Sequence, residues 1–373
     1  MPAWPRRRRV GGCGVDEFAR FHPNERDEVF AVSADALGVP GVVVEKDFWV
    51  CWTLRRLYSP ALRDSIASEQ ARADASTMRS SPLFVFKGGT PLSKVFGAID
   101  RFSEDIDITV DRATIGAPSP VSSDSRKTRE RLREAIEGAC IEWTRETIKT
   151  ALSSAIEATL DPREDWSLDL DPNAREATLV FRYPSKEASA HRYLLPSIRV
   201  EFGARGEQEP SEDASVSPMA AATVPQAFKE PKTTVRAMSA ARTFWEKATL
   251  LHGIHHRGAP IRARQARHYF DVFRLADHRL GRAARADRAL LGRVVEHREL
   301  TDLQPSARYR EAAEGMIRLV PQEKQLASLE EDYQAMRDMF LAEPPSVGAI
   351  LKRLERLERE VNRAGESGTR ATP

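Results

Sequence analysis

Residues 84–110 read FVFKGGTPLSKVFGAIDRFSEDIDITV, and the reading of this stretch decides the fold. An apolar strand, Phe84 to Phe86, runs into Gly88 and Gly89. A short helix pattern follows, and then a second alternating strand that carries Ser103, Asp105 and Asp107. Residues two apart on a strand share a face. The two carboxylates therefore point one way, and Ile106 and Ile108 point into a core on the other. Beside a glycine-rich turn, such a pair is a place where a hard cation meets a phosphate chain. Nucleotidyl transfer needs that arrangement, with Mg²⁺ or Mn²⁺ held by carboxylates and by the oxygens of an NTP. A lone DxD also suits an exposed edge strand. The preceding strand, the paired glycines and Ser103 give this one its weight.

The turn itself suits phosphate. Glycine lets backbone amides approach an anion without a Cβ clash. Thr90 is expected to cap the helix, with Pro91 in its first turn. Lys94 and Arg101 are candidate phosphate contacts, although either could merely decorate the helix and its exit. Glu201 ends the strand Ile198–Phe202 and shares a face with Arg199. It is a candidate third metal carboxylate or base, or simply half of a surface Arg–Glu pair. Lys247, within TFWEKATLL, borders an apolar helical stripe, from which it could reach a nucleotide or snorkel to solvent. Asp271, within HYFDVFRL, lies among large apolar residues, where a carboxylate is costly unless paired. Its candidate partners are Lys247, Arg267, Arg274 or a bound group.

Outward from this unit, the chain reads as α+β: a small mixed sheet flanked by helices, then a helical C-terminal region. The expected divisions are a disordered segment 1–23, a catalytic core 24–235, a helical domain 236–362 and a loose tail 363–373. VVVEKDFWVCWTLRRLY and residues 127–160 have helical spacing, whereas Glu176–Tyr183 and Leu194–Phe202 alternate as strands, for which antiparallel pairing is one arrangement. Residues 64–81 read as a loop or frayed helix, and 204–228 as a mobile connection.

The 373 residues carry a net charge of only +2, so overall charge makes no case for nucleic-acid binding. Basic clusters exist at Arg6–Arg9 and in HHRGAPIRARQARH at 255–268, which a solvated face would also explain. Three cysteines without CxxC spacing argue against a disulfide framework and fit a reducing cytoplasm. The His252, His255 and His256 trio has helical spacing but lacks a convincing ligand set for zinc. No run reaches the length of a membrane span, and the arginine run lacks the apolar region of a secretory signal.

KGGTPLSKVFGAIDRFSEDIDI resembles the signature of the nucleotidyltransferase AbiEii/AbiGii toxin family, a GG(T/S) turn followed by an R-x-S-x-D-x-D strand. RTFWEKATLLHGIHHR and RHYFDVFRLAD resemble that family's later lysine and aspartate motifs, and the resemblance spans roughly residues 40–280. It implies a polymerase-β-like nucleotidyltransferase fold and Mg²⁺ dependence. It also implies action as the toxin of a bacterial toxin–antitoxin or phage-abortive system, with a winged-helix antitoxin as partner. On matched positions, Gly88, Gly89 and Ser103 would hold the triphosphate, and Asp105 and Asp107 the metal. Lys247 would contact the nucleotide phosphates, and Asp271 would be the essential acid. Members of the family differ in substrate: some are linked to GTP binding, and relatives add pyrimidine nucleotides to the 3′ end of tRNA, so the acceptor expected here is an RNA end, the tRNA 3′ end foremost, or a protein hydroxyl. The competing reading is a nucleotide- or RNA-binding module that acts through its antitoxin without transfer. A metal-dependent phosphodiesterase ranks last, since the His/Asp clusters of a two-metal hydrolase are missing.

Overall fold

The computed structural model describes residues 13–73, 82–174, 176–185 and 195–369. Its centre is a seven-stranded mixed sheet of order β3-β4-β5-β2-β1-β7-β6. The strands are β1 Phe84–Lys87, β2 Ile106–Val110, β3 Ser167–Leu170, β4 Ala177–Arg182, β5 Ser197–Gly203, β6 Ser211–Val216 and β7 Thr233–Met238. β1 and β2 pair antiparallel as neighbours in the sequence, whereas β5 joins β2 and β7 joins β1 in parallel. The register sets Lys87 opposite Asp107, and Asp107 opposite Glu201. One row of polar side chains therefore crosses three adjacent strands. Ile106, Ile108, Val200 and Phe202 alternate with that row and are buried.

Before the sheet come α1 Val15–Ala19, α2 Pro23–Leu37, α3 Gly41–Leu57 and α4 Pro60–Ala73. α3 is buried on nearly every side, and its Trp49 and Trp52 stack on Tyr183 and Phe181 of the sheet. α5 Gly89–Lys94 links β1 to β2. The helical stretch expected at 127–160 is α6 Arg126–Trp143 and α7 Lys149–Glu157, joined by a π-helical turn at Thr144–Ile148. α8 Met219–Thr223 follows β6. After β7 the chain is helical: α9 Ala240–Arg257, α10 Ala266–Asp277, α11 Arg279–Ala286, α12 Arg288–Thr301, α13 Tyr309–Ala313, α14 Leu326–Ala335 and α15 Val347–Thr369.

Several expectations fail for identifiable reasons. Disorder through residue 23 does not hold for the described part. Phe18 is fully buried against Phe30, Phe48 and Phe228, so aromatic burial outweighs the polar composition around it. Residues 1–12 lie outside the described residues, as do 74–81 of the expected loop. The connection at 204–228 contains β6, an edge strand ordered by its full ladder to β7. Its pattern is polar because an edge strand has little to bury. The tail expected from 363 is the end of α15, which continues to Thr369. α2 is capped by His22, with Glu25 completing a capping box.

The apolar interior of the described residues forms two large clusters and a small third one of Val42, Val43 and Phe102. Of the large two, one lies on the sheet with α1–α4, α6 and α7. The other gathers α9 to α15 together with Leu92, Ala98 and Ile99. The loop from α5 to β2 lies where the two meet, with Arg101 bridged to Phe340 and the Phe102 amide donating to the Met339 carbonyl. Among the described residues no helix is long and apolar enough to cross a membrane.

Candidate active site

Gly88 and Asp107 touch. A Cβ placed on Gly88 would lie 2.2 Å from Asp107 Oδ2, so only glycine lets the turn close over this carboxylate. Gly88 has φ +89° and ψ −149°, a region essentially restricted to glycine. Its conformation makes Gly88 the cap of α5, in place of Thr90. The first amides of α5 are left without helical partners, as at every helix start. Thr90 instead turns inward. Its Oγ1 donates to the Asp105 carbonyl at 2.6 Å and lies 2.9 Å from Ser103 Oγ, pinning the turn to the residues before β2. Ser103 is itself buried behind the turn.

The polar row carries excess negative charge. Burial, then repulsion from Asp105, raises the Asp107 carboxyl above its ordinary range. Glu201 is pushed up to about 7 by burial, then by Asp107 and Asp105. Arg199 Nε stands 3.6 Å from Glu201 Oε1, but its Nη1 binds Asp171 at 2.7 Å. The donors offered here are all carboxylate oxygens, the chemistry that suits a hard cation. Among the described residues, no three His, Cys, Asp or Glu side chains already stand as a metal-holding group. That is compatible with Mg²⁺, which takes one or two carboxylates and completes its shell with phosphate oxygens and water. Asp105 and Asp107 fit that role, with Glu201 beside them.

Behind the glycine turn lies a buried ionic cluster. Arg101 grips Asp271 with both arms of its guanidinium, Nε to Oδ1 at 2.7 Å and Nη2 to Oδ2 at 2.8 Å. Lys247 Nζ reaches the same carboxylate at 3.0 Å and His268 Nδ1 at 3.3 Å. Arg101 Nη2 would lie 2.6 Å from a Cβ on Gly89, so the cluster backs directly onto the turn. Burial pushes the Asp271 carboxyl up, but Arg101 and Lys247 outweigh it and hold it well below the carboxylate range. Burial lowers Lys247, and the attraction of Asp271 only partly offsets this. Burial, then Lys247, keeps His268 neutral, so its Nδ1 can accept from the lysine.

The sequence profile described as nucleotidyl transferase AbiEii toxin, type IV toxin–antitoxin system, matches residues 72–358, more than three quarters of the 373-residue chain. The chain belongs to the AbiEii nucleotidyltransferase toxin family. It is an enzyme of the nucleotidyltransferase class. Among solved structures it is similar to MenT4, a nucleotidyltransferase toxin of Mycobacterium tuberculosis H37Rv, at 17% identity over 91% of this chain and 98% of that one, with a TM-score of 0.39. No curated protein matches it.

In this AbiEii toxin the fold draws together Gly88, Gly89, Thr90, Ser103, Asp105 and Asp107, with Glu201 in register. Lys247, Arg101 and Asp271 join one another beneath the turn. Three expectations need correction. Arg101, a candidate phosphate contact, is 1% exposed and spends both arms of its guanidinium on Asp271, so it offers no face to a phosphate. Lys94 does not face the turn: it is buried and salt-bridged to Asp47 of α3, which also accepts the Met219 amide at 2.7 Å. That lysine fastens α5 to α3. Asp271 is 0% exposed and ion-paired to Arg101 and Lys247, so it presents no surface to substrate.

The sequence places Arg264 and Arg267 in a basic cluster and offers Arg267 only as a partner for Asp271. Both converge on Asp105 Oδ2, at 3.0 and 3.3 Å. His268 was passed over as well. The available signal was local: RQARHYFD places Arg267 and His268 four and three residues before Asp271, near it on one side of α10. His252, considered for zinc, lies between backbone groups, with Nε2 2.9 Å from the Arg308 carbonyl and Nδ1 accepting from the Arg318 amide at 3.0 Å.

Proposed function

We propose that this toxin transfers a nucleoside monophosphate from an NTP to a hydroxyl acceptor, with Mg²⁺ (or Mn²⁺) as the cation. The acceptor is the 3′ end of an RNA, tRNA foremost, with a protein hydroxyl as the other member of that class. The observation that carries the proposal is the contact of Gly88 with Asp107. Backbone amides able to hold phosphate and carboxylates able to hold a divalent ion lie against each other on one side of the sheet.

Asp105 and Asp107 would hold the cation, with Glu201 as a third oxygen donor. When bound, the cation neutralises charge on the triphosphate and polarises the attacked phosphorus. The acceptor oxygen forms a bond to the α-phosphorus, the bond to the β-phosphate bridge breaks, and pyrophosphate leaves. The acceptor proton passes to a base; Glu201 is the candidate in the row for that role where it is not itself a ligand of the cation. Gly88, Gly89 and Thr90 supply amides to the phosphates, and Lys247 supplies positive charge from beneath. Arg101 and Asp271 fix the lysine and the underside of the turn.

Membership of a type IV toxin–antitoxin family supports a cognate antitoxin. We take it to be a winged-helix regulator, with the pair acting in the cytoplasm against phage. The test is incubation of the purified protein with each labelled NTP, Mg²⁺ and total tRNA or total protein. Label should move to an acceptor, and Asp105→Ala should abolish it. Failure of all four nucleotides to label any acceptor would overturn the proposal.

A further inference from the structure

Arg264 and Arg267 each spend one guanidinium nitrogen on the same oxygen of Asp105. Arginine recognises carboxylates and phosphates best with two parallel N–H donors. The Arg101–Asp271 pair a few residues away shows that geometry in full. Two forks converging singly on one carboxylate oxygen leave much of their capacity for a larger anion unused. Arg264 Nη2 also faces Glu104 Oε1 at 3.6 Å, and Glu104 is in turn paired with Lys46.

The backbone that presents these arginines is firmly held. Asp332 accepts from the amides of Arg264 and Ala266 at 2.6 Å each, fixing the start of α10. Arg264 takes φ +67° there, an uncommon conformation for a non-glycine residue. Its side chain is nevertheless 42% exposed. A cavity of about 230 Å³ is lined by both arginines together with Glu104, Ala335, Met336 and Met339. The anchor is rigid while the guanidiniums have room to swing.

Resting on the proposed nucleotidyl transfer, we infer that Arg264 and Arg267 are a triphosphate clamp held in reserve on Asp105. While they sit on Asp105, that carboxylate is masked from a cation. Entry of a metal–nucleotide exchanges partners: Asp105 goes to the cation, and the two guanidiniums go to non-bridging phosphate oxygens. No covalent bond changes in this exchange. It makes metal and triphosphate binding mutually supportive, because each removes the other's competitor.

The exchange predicts effects of opposite sign for one substitution. In Mn²⁺ titrations without nucleotide, followed by electron paramagnetic resonance, Arg264→Ala should bind Mn²⁺ several-fold more tightly than the natural protein. With chelator present and inorganic tripolyphosphate or NTP as ligand, the same variant should bind about tenfold more weakly. Arg264→Lys keeps a point charge for Asp105 but loses the fork, so Mn²⁺ binding should stay near normal while triphosphate binding falls. Arg274→Ala, which removes an exposed pair with Asp100, serves as the control with neither effect. Weakening of both ligands by Arg264→Ala would indicate a purely structural role and overturn the inference. Unchanged binding of both would do the same, and if the natural protein still transferred nucleotides, the proposed function would survive. A natural protein that binds neither triphosphate nor NTP would overturn both.

Discussion

Asp271 and Arg101 form a two-point ion pair at 2.7 and 2.8 Å across 170 residues of chain, with both side chains almost entirely buried. Lys247 completes the triad at 3.0 Å. The pair couples the loop entering β2 to α10, and so couples the sheet to the helical region that follows it. Removing one partner of a buried pair leaves an unsatisfied charge, which usually costs about 3–5 kcal/mol. Asp271→Ala should therefore lower the unfolding free energy extrapolated from urea titrations by that amount and abolish transfer. The triple variant Asp271→Leu/Arg101→Met/Lys247→Met, which leaves no member of the triad charged and unpaired, should recover much of the stability without recovering activity. An Asp271→Ala protein as stable as the natural one would contradict this account.

Gly88→Ala carries two penalties. The new Cβ meets Asp107 Oδ2 at 2.2 Å, and the backbone geometry is one that L side chains avoid. The conformational part alone costs about 1–2 kcal/mol, and the clash displaces the carboxylate. Transfer should be lost while the far-ultraviolet circular dichroism is retained. Gly97→Ala, with φ +55° but nothing within 4 Å of its Cβ, should pay only a conformational cost and remain active. Equal activities in the two variants would show that contact with Asp107 does not matter.

Lys94 offers a complementary test. Its ammonium is buried on Asp47, so Lys94→Met should destabilise the protein by about 3–5 kcal/mol. The folded variant, assayed well below its melting temperature, should show an unchanged KM for the nucleotide. A raised KM with unchanged stability would restore the phosphate role that the sequence suggested.

His252 sets an acid limit on stability. Burial lowers its pKa to about 4, from an ordinary value near 6.5. Its ring must stay neutral to donate from Nε2 to the Arg308 carbonyl and accept at Nδ1 from the Arg318 amide. Between pH 6.5 and about 4 the unfolded chain takes up this proton and the native protein does not. The unfolded state then binds more protons, so stability rises with pH across that window and is lost as pH falls through it. NMR titration of the imidazole should show no protonation down to about pH 4, and the melting temperature should fall over the same interval. An imidazole titrating near 6.5 in the folded protein would refute the assignment.

The strand–glycine–strand unit was legible because its information is local. Phe84 to Phe86, Gly88, Gly89 and the alternation Asp105-Ile106-Asp107-Ile108 specify a turn and a two-sided strand within 25 residues. Glu201 was legible by the same alternation, and its register with Asp107 gave it a position in the row. β6 was not, because an exposed edge strand has no buried face to impose a pattern. Lys94 misled because a lysine at the end of a short helix reads alike whether it meets phosphate or a buried carboxylate.

The sequence by itself determined the glycine turn and the carboxylate pair, since those depend on spacing along a few residues, and it carried the family in motifs matched over residues 72–358. Only the tertiary structure decided which charges meet: Asp271 with Arg101 and Lys247, Lys94 with Asp47, and Arg264 and Arg267 with Asp105. Those pairs span 24 to 170 residues. A buried charge requires a partner but carries no record of which one, and the packing of helices against the sheet makes the choice.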